Sequence, residues 1–323
     1  MATGVRLSAV RVFVAGASGA IGAALVPMLV EAGHDVVAMT RTPGKDAGLR
    51  AAGAQPVVAD ALDAAGVSDA VARAEPEVVV HELTAIPQRL NVRHPERDFA
   101  LTNRLRTEGT DNLLAAARRA AARRFVAQSY FGWRLSPASG TALGEDEPMD
   151  PSPPERLRPI FDAIRHLESA VTGASDIDGV VLRYGGFYGP GTNIARDGSL
   201  VDDVRKRRFP LVGDAGGVWS FVHVEDAARA TVTALDRAAT GIYNVVDDDP
   251  APVREWLPFL AETAGARPPR RVPAWLARLV VGGHGVAIMT QTKGASNAKA
   301  RRELGWEPRY ASWREGFRAV LAT

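Results

Sequence analysis

Three observations predict an α/β fold with a doubly wound parallel sheet and a smaller, mostly helical C-terminal lobe. Short apolar runs alternate with helical patterns through the first half of the chain. Several of those runs are apolar almost throughout, as strands covered by helices on both faces must be. After Tyr184 this rhythm becomes irregular and helical patterns dominate. The expected division is residues 1–184 as a nucleotide-binding domain and 185–323 as a substrate-binding lobe, with some segments returning to the main sheet.

The elements follow in order. Arg11–Ala15 is the first strand, and a helix over Ala20–Ala32 follows the glycines behind it. Asp35–Met39 is the second strand, followed by a short helix after Pro43. Pro56–Ala59 is the third, followed by a helix over Ala64–Ala72. Val78–His81 is the fourth, with a long helix from Glu96 to Ala121. Arg124–Gln128 is the fifth, and the helix Glu155–Thr172 sets Ile160, Ile164 and Leu167 on one face. Gly179–Arg183 is the sixth. Between them Gly140–Pro154, "GTALGEDEPMDPSPP", reads as an acidic, proline-rich surface loop or a lid. Helices are expected near Val201–Lys206, Val224–Asp236, Val253–Ala264 and Pro273–Val280. There are no internal repeats.

Composition narrows the chemistry. The 46% apolar and 24% charged fractions are those of a globular protein, and 323 residues supply an ample core. With no cysteine, thiolate nucleophiles, disulfides and Cys-ligated zinc are excluded. Six histidines never pair at ligand spacing, so no metal site is expected. No basic stripe with interleaved aromatics appears, which argues against nucleic acid as a partner. Val12–Val30 is apolar enough to suggest a membrane span. Its regular glycines between a β-branched run and a helical period fit a strand, turn and helix better. A cytoplasmic protein without membrane contact is expected.

The loop Gly16-Ala17-Ser18-Gly19-Ala20-Ile21-Gly22 carries the first functional signal. Glycine is needed there for a sharp turn, for close approach of backbone to a pyrophosphate, and for tight packing of helix on sheet. The helix N-terminus offers free N–H groups and partial positive charge to the phosphates. With a strand before and a helix after, the loop predicts a Rossmann-type dinucleotide site. The second strand ends in Thr40-Arg41-Thr42, with no carboxylate to hold a ribose 2′-hydroxyl. Arg41 suits a 2′-phosphate, so NADP is expected over NAD. Asp60 and Ala61 fit an adenine-edge contact. Leu83, Thr84 and Ala85 fit the wall beside the ribose and pyrophosphate.

On "GASGAIG", "VVVHELTA", "EGTDNLLAAAR", "RRFVAQS", "VVLRYGGFYGPGT", "WSFVHVEDAARA", "GIYNVVDDDP" and "NAKARRELGWEPRY", the chain resembles the short-chain dehydrogenase/reductase superfamily. The branch it resembles is the extended or atypical one of NAD(P)-dependent epimerase/dehydratase-like proteins. The resemblance covers nearly the whole chain and implies a catalytic Ser/Thr after the fifth strand, then a tyrosine with a lysine four residues on. Here Tyr130 falls at the Ser/Thr position, with Ser129 before it. The Tyr-x-x-x-Lys site falls on Phe161 and Arg165, or on Ile160 and Ile164. No lysine occurs between Lys45 and Lys206, and no tyrosine between Tyr130 and Tyr184, so the usual acid is gone whatever the alignment.

Tyr130 is the candidate replacement acid, with Arg165 as a permanent cation stabilising a phenolate or enolate and Ser129 as a substrate contact. The other reading of Tyr130 is a core aromatic whose hydroxyl finds a partner. His81 reads as a satisfied core histidine. The resemblance places Tyr188 in a turn beside the nicotinamide, and Trp133, Trp219 and Phe187 are candidates for an aromatic substrate pocket. It also implies a homodimer built through the helix from Glu96 and the helix holding Phe161. Three functions remain open: an NADP(H)-dependent oxidoreductase on a small organic carbonyl, alcohol or activated alkene; a non-redox isomerase, cyclase or lyase using Tyr130; and an NADP redox sensor.

Overall fold

The computed structural model describes residues 9–132, 134–135 and 142–322. The Rossmann half is built from β1 (Arg11–Ala15), α1 (Ala20–Glu31), β2 (Asp35–Thr40), α2 (Asp46–Ala51), β3 (Gln55–Val58), α3 (Ala64–Ala74) and β4 (Val78–His81). It continues with α4 (Pro95–Asp98), α5 (Ala100–Arg104), α6 (Thr110–Arg119), β5 (Arg124–Tyr130), β6 (Ala142–Leu143), α7 (Arg158–Thr172) and β7 (Asp178–Tyr184). Beyond it lie β8 (Gly186–Tyr188), α8 (Ser199–Arg205), β9 (Leu211–Val212), β10 (Val218–Trp219), β11 (Phe221–His223), α9 (Val224–Ala234) and β12 (Gly241–Val245). Helices α10 (Val253–Thr263), α11 (Ala274–Thr290) and α12 (Trp313–Ala322) complete the C-terminal part.

Seven strands form one parallel sheet in the order β12-β7-β5-β4-β1-β2-β3. The strand order reverses between β1 and β4, so the connections behind them part at the carboxyl edge and leave a crevice there. Val12, Phe13, Val14, Val78, Val79, Val80, Phe125 and Val126 are fully buried. Each contributes about 1.5–3 kcal/mol through lost water contact. Two cores lie on opposite faces of the sheet: α1 packs with α9 over one, and α3 with α6 over the other.

The expected strands all form, most with ends moved by a residue or two. The long helix expected over Glu96–Ala121 does not run unbroken. It opens into a wide π-type turn at Leu105–Gly109 between α5 and α6. The cause is visible on β4. His81 Nδ1 accepts the Leu83 N–H (3.2 Å), so its proton sits on Nε2, which faces the Leu105 carbonyl at 3.2 Å and Thr110 Oγ1 at 3.1 Å. The imidazole draws that carbonyl away from the regular ladder.

The C-terminal half departs further from expectation. Helix α11 runs on to Thr290 through a kink at Gly282 (φ +71°), well past the Pro273–Val280 span that the sequence predicts. Helix α12 and the returning strand β12 have no counterpart in the sequence pattern. Among the described residues no helix is long and apolar enough to cross a membrane, and Val12–Val30 is a strand, turn and helix. The described part of the acidic loop is tied down. Its β6 pairs with Gly294–Ala295, and the carbonyls of Glu145, Glu147 and Asp150 accept hydrogen bonds from Arg183, Arg134 and Arg165.

Candidate active site

A groove crosses the carboxyl edge where β1 and β4 part. Its lining includes Gly16, Ser18, Gly19, Ala20 and Ile21 from the glycine loop, and Thr40, Arg41, Thr42 and Lys45 behind β2. Asp60 and Ala61 line it behind β3, and Leu83, Thr84 and Ala85 behind β4. The chain makes this groove by sterics. Gly16 has φ +94°, and a Cβ there would lie 2.6 Å from the backbone of Glu82. At Gly22 a Cβ would meet the Ala17 carbonyl oxygen at 2.4 Å. Ala17 is fully buried, so Ala17 and Gly22 shape the loop from behind while its other residues face the groove. Gly19, as N-cap of α1, makes no side-chain cap, leaving the helix N-terminus open toward the groove.

Polar contacts brace the walls. Ser18 Oγ and Thr40 Oγ1 are 3.1 Å apart, and Lys45 Nζ reaches the Ser18 carbonyl at 3.4 Å. Asp60 Oδ1 accepts the Leu62 N–H (3.0 Å), the Ala85 N–H donates to Thr102 Oγ1 (3.0 Å), and Asn112 donates to the Ala61 carbonyl (2.9 Å). Arg41 is exposed and makes no hydrogen bond or ion pair among the described residues. These features fit a dinucleotide: free N–H groups for the pyrophosphate and a free cation at the ribose end. Phe187, a candidate for an aromatic substrate pocket, lines the groove, and so do Lys45 and Gln128, which sequence reasoning missed. Glu82 lines it too, its carboxyl pushed up to about 8 by burial, within 3.3 Å of the Tyr184 hydroxyl that donates to it.

Tyr130 ends β5, half-buried and packed against an apolar cluster of Phe99, Leu157, Ile160, Phe161 and Ile164. Its ring folds over Gly132, where a Cβ would lie 2.1 Å from the phenol oxygen. Burial raises the phenol above its ordinary value, and the Arg106 guanidinium pulls it partly back. The cation beside Tyr130 is therefore Arg106, from the π-type turn. Arg165 instead pairs with Asp162 (2.6 Å) and donates to the Asp150 carbonyl (3.0 Å). Ser129 is buried and donates to Glu168 Oε1 at 2.8 Å. Arg183 holds the same carboxylate through Nε and Nη2, both at 2.7 Å.

Two substrate candidates need correction or cannot be placed. Tyr188 does not reach the groove. It is fully buried in the C-terminal aromatic core against His223, Phe317 and Tyr310. Alternation along β8 explains this, since Phe187, one residue earlier, points the other way and takes the groove face. Trp133 lies outside the described residues. Trp219 stacks on Trp256 at 4.8 Å and is half-buried in the same core. Among the described residues no cluster suited to a metal ion occurs.

A model of a family described as "NAD dependent epimerase/dehydratase family" matches residues 12–246. Similar proteins include the 3-diazoavenalumate denitrifying reductase of a Streptomyces species. It is 46% identical over 308 residues, covering 95% of this chain and 99% of that protein. Among solved structures, a Thermotoga maritima UDP-glucose 4-epimerase with UDP-glucose aligns with TM-score 0.76 and 22% identity, over 96% of this chain and 97% of that one. A Thermus thermophilus UDP-glucose 4-epimerase in complex with NAD aligns with TM-score 0.73 and 25% identity, over 97% and 98%.

Proposed function

This chain belongs to the NAD dependent epimerase/dehydratase family and is an NAD(P)-dependent enzyme of the oxidoreductase–epimerase type, and from that premise we propose an NADPH-dependent reductase that replaces a diazo group with hydrogen on a small aryl carboxylate. The substrate class is taken from the Streptomyces relative's name, on 46% identity across nearly both chains. The observation that carries the reading is the empty place of the proton donor. Where the family sets a tyrosine and a lysine, α7 presents Phe161 and Arg165, or Ile160 and Ile164; the three apolar residues are buried and Arg165 is paired with Asp162.

Reduction of a carbonyl needs a proton for the new alkoxide, and a site without an acid is poor at it. A diazonium carbon needs none. When bound, NADPH supplies a hydride to that carbon, the C–N bond breaks, and dinitrogen leaves with its electron pair. The protein's tasks are then to bind, orient and exclude water. Ser18, Gly19 and the α1 N-terminus hold the pyrophosphate, and Arg41 with Lys45 holds the 2′-phosphate that selects NADP. Leu83, Thr84 and Ala85 wall the ribose. The substrate ring lies against the apolar cluster beside Tyr130, and the Tyr130 hydroxyl donates a hydrogen bond to a substrate oxygen. A carbonyl reductase using Tyr130 as acid is the second reading, favoured by Arg106 beside that phenol.

The test is isotopic. With NADPH deuterated at the transferring C4 position and 3-diazoavenalumate as substrate, one deuterium appears at the former diazo carbon for each NADPH oxidised and each dinitrogen released. Product labelled only from deuterated water, or NADPH left unoxidised, overturns the reading.

A further inference from the structure

The buried flank of the site holds more positive charge than its described residues balance. Arg106, Arg134 and Arg183 are 2%, 1% and 5% exposed, and the buried carboxylate that acts on all three is Glu168. Glu168 is already engaged. Arg183 grips both of its oxygens, and Ser129 donates to Oε1. Arg134 spends Nη1 on the Glu147 carbonyl and lies over the Phe131 ring. Arg106 is left with buried Nε and Nη1 that meet no hydrogen-bond partner among the described residues.

No other described residue near Arg106 supplies an anion. The Tyr130 phenol is held neutral by burial, and His81 is fully buried with its Nε2 proton turned to Leu105 and Thr110. An unpaired buried guanidinium is costly and gains most from a ligand that neutralises it. Its planar donors match a carboxylate, and the apolar cluster that Tyr130 packs against suits an aryl body. The cluster draws residues from both halves of the chain, Leu90 and Tyr130 from one and Ile288 from the other.

We propose that Arg106, presented by the π-type turn beside Tyr130, is the receptor for the substrate's carboxylate and fixes the aryl ring against that apolar cluster. This rests on the reading of the site as one for a small aryl carboxylate. Arg106 is a binding residue on this account, and its positive charge is kept at the expense of stability.

The test uses the NADP+-loaded enzyme at pH 7, titrated calorimetrically with 4-hydroxycinnamate and with its methyl ester. The acid binds wild type at least tenfold more tightly than the ester. Arg106→Met abolishes that preference, and Arg106→Lys keeps part of it. NADPH affinity stays within threefold in each variant, and the Tm of Arg106→Met equals or exceeds that of wild type. The proposal is overturned by equal binding of acid and ester to wild type, by no binding of the acid at millimolar concentration, or by an Arg106→Met protein that keeps the preference. A Tm lower by several degrees in Arg106→Met also overturns it, since it assigns Arg106 to the fold. The wild-type comparison stands even if a variant fails to fold. The reductase reading fails separately, through absent NADPH binding or absent deuterium transfer, whichever way the acid–ester comparison falls.

Discussion

Arg41 and Lys45 stand together at the outer end of the groove, and β2 closes without an acidic side chain. A charge-assisted hydrogen bond to a 2′-phosphate is worth about 1.5–3 kcal/mol, or about tenfold to a hundredfold in affinity. Arg41→Ala therefore weakens NADPH by that factor and NADH by less than about threefold, measured by nucleotide fluorescence. Glu82 gives a second residue-scale prediction. Burial raises its carboxyl from 4.5 to about 8, so its contribution to stability is full below the unfolded value and is lost as pH rises through about 8. His81 is lowered from 6.5 to about 4, so its contribution is full above 6.5 and is lost as pH falls. Between about 6.5 and 8 the Glu82 decline acts while His81 is constant. Glu82→Gln flattens the fall of Tm across that window, with a remainder from Asp247, which burial also raises. An unchanged slope would show that Glu82 is already ionised in the fold.

Among the elements, the turn between β1 and α1 was the most legible, because its constraints are local. Strand, glycines and helix are contiguous, and the Gly16 φ and the close approach of Gly22 to Ala17 are needs that only glycine meets. Gly22→Ala forces α1 off the sheet, costs about 1–3 kcal/mol by overpacking, and weakens NADPH binding; thermal melting with and without nucleotide checks both. The π-type turn was illegible for the opposite reason. Arg106 in an amphipathic sequence reads as a solvated charge, and only the distant His81 and Glu168 make it a buried one. Tyr188 was misplaced because a three-residue strand does not reveal its facing, and Lys45 was missed because a short helix had to fold it back over Ser18.

For the whole molecule, the two halves are interleaved. Strand β12 comes from beyond residue 184, yet it pairs with β7 in the main sheet, and α9 covers the face that α1 occupies. A fragment ending at 184 loses both, leaving Val180, Val181 and Leu182 on an open edge. It is expected to aggregate, and a soluble, cooperatively melting fragment would contradict the packing. The sequence pattern showed the parallel sheet and that some segment beyond residue 184 returns to it, but not which one, since Gly241–Val245 is short and its partner is far away in the chain. A reductase that works without a protein acid is tested by the turnover of 3-diazoavenalumate by Tyr130→Phe. A turnover rate within about threefold of wild type and a raised KM are expected, because only a substrate hydrogen bond is lost. Turnover slowed by about a hundredfold to ten-thousandfold, as when a general acid is lost, with NADPH binding intact, would contradict it and return Tyr130 to the role of proton donor.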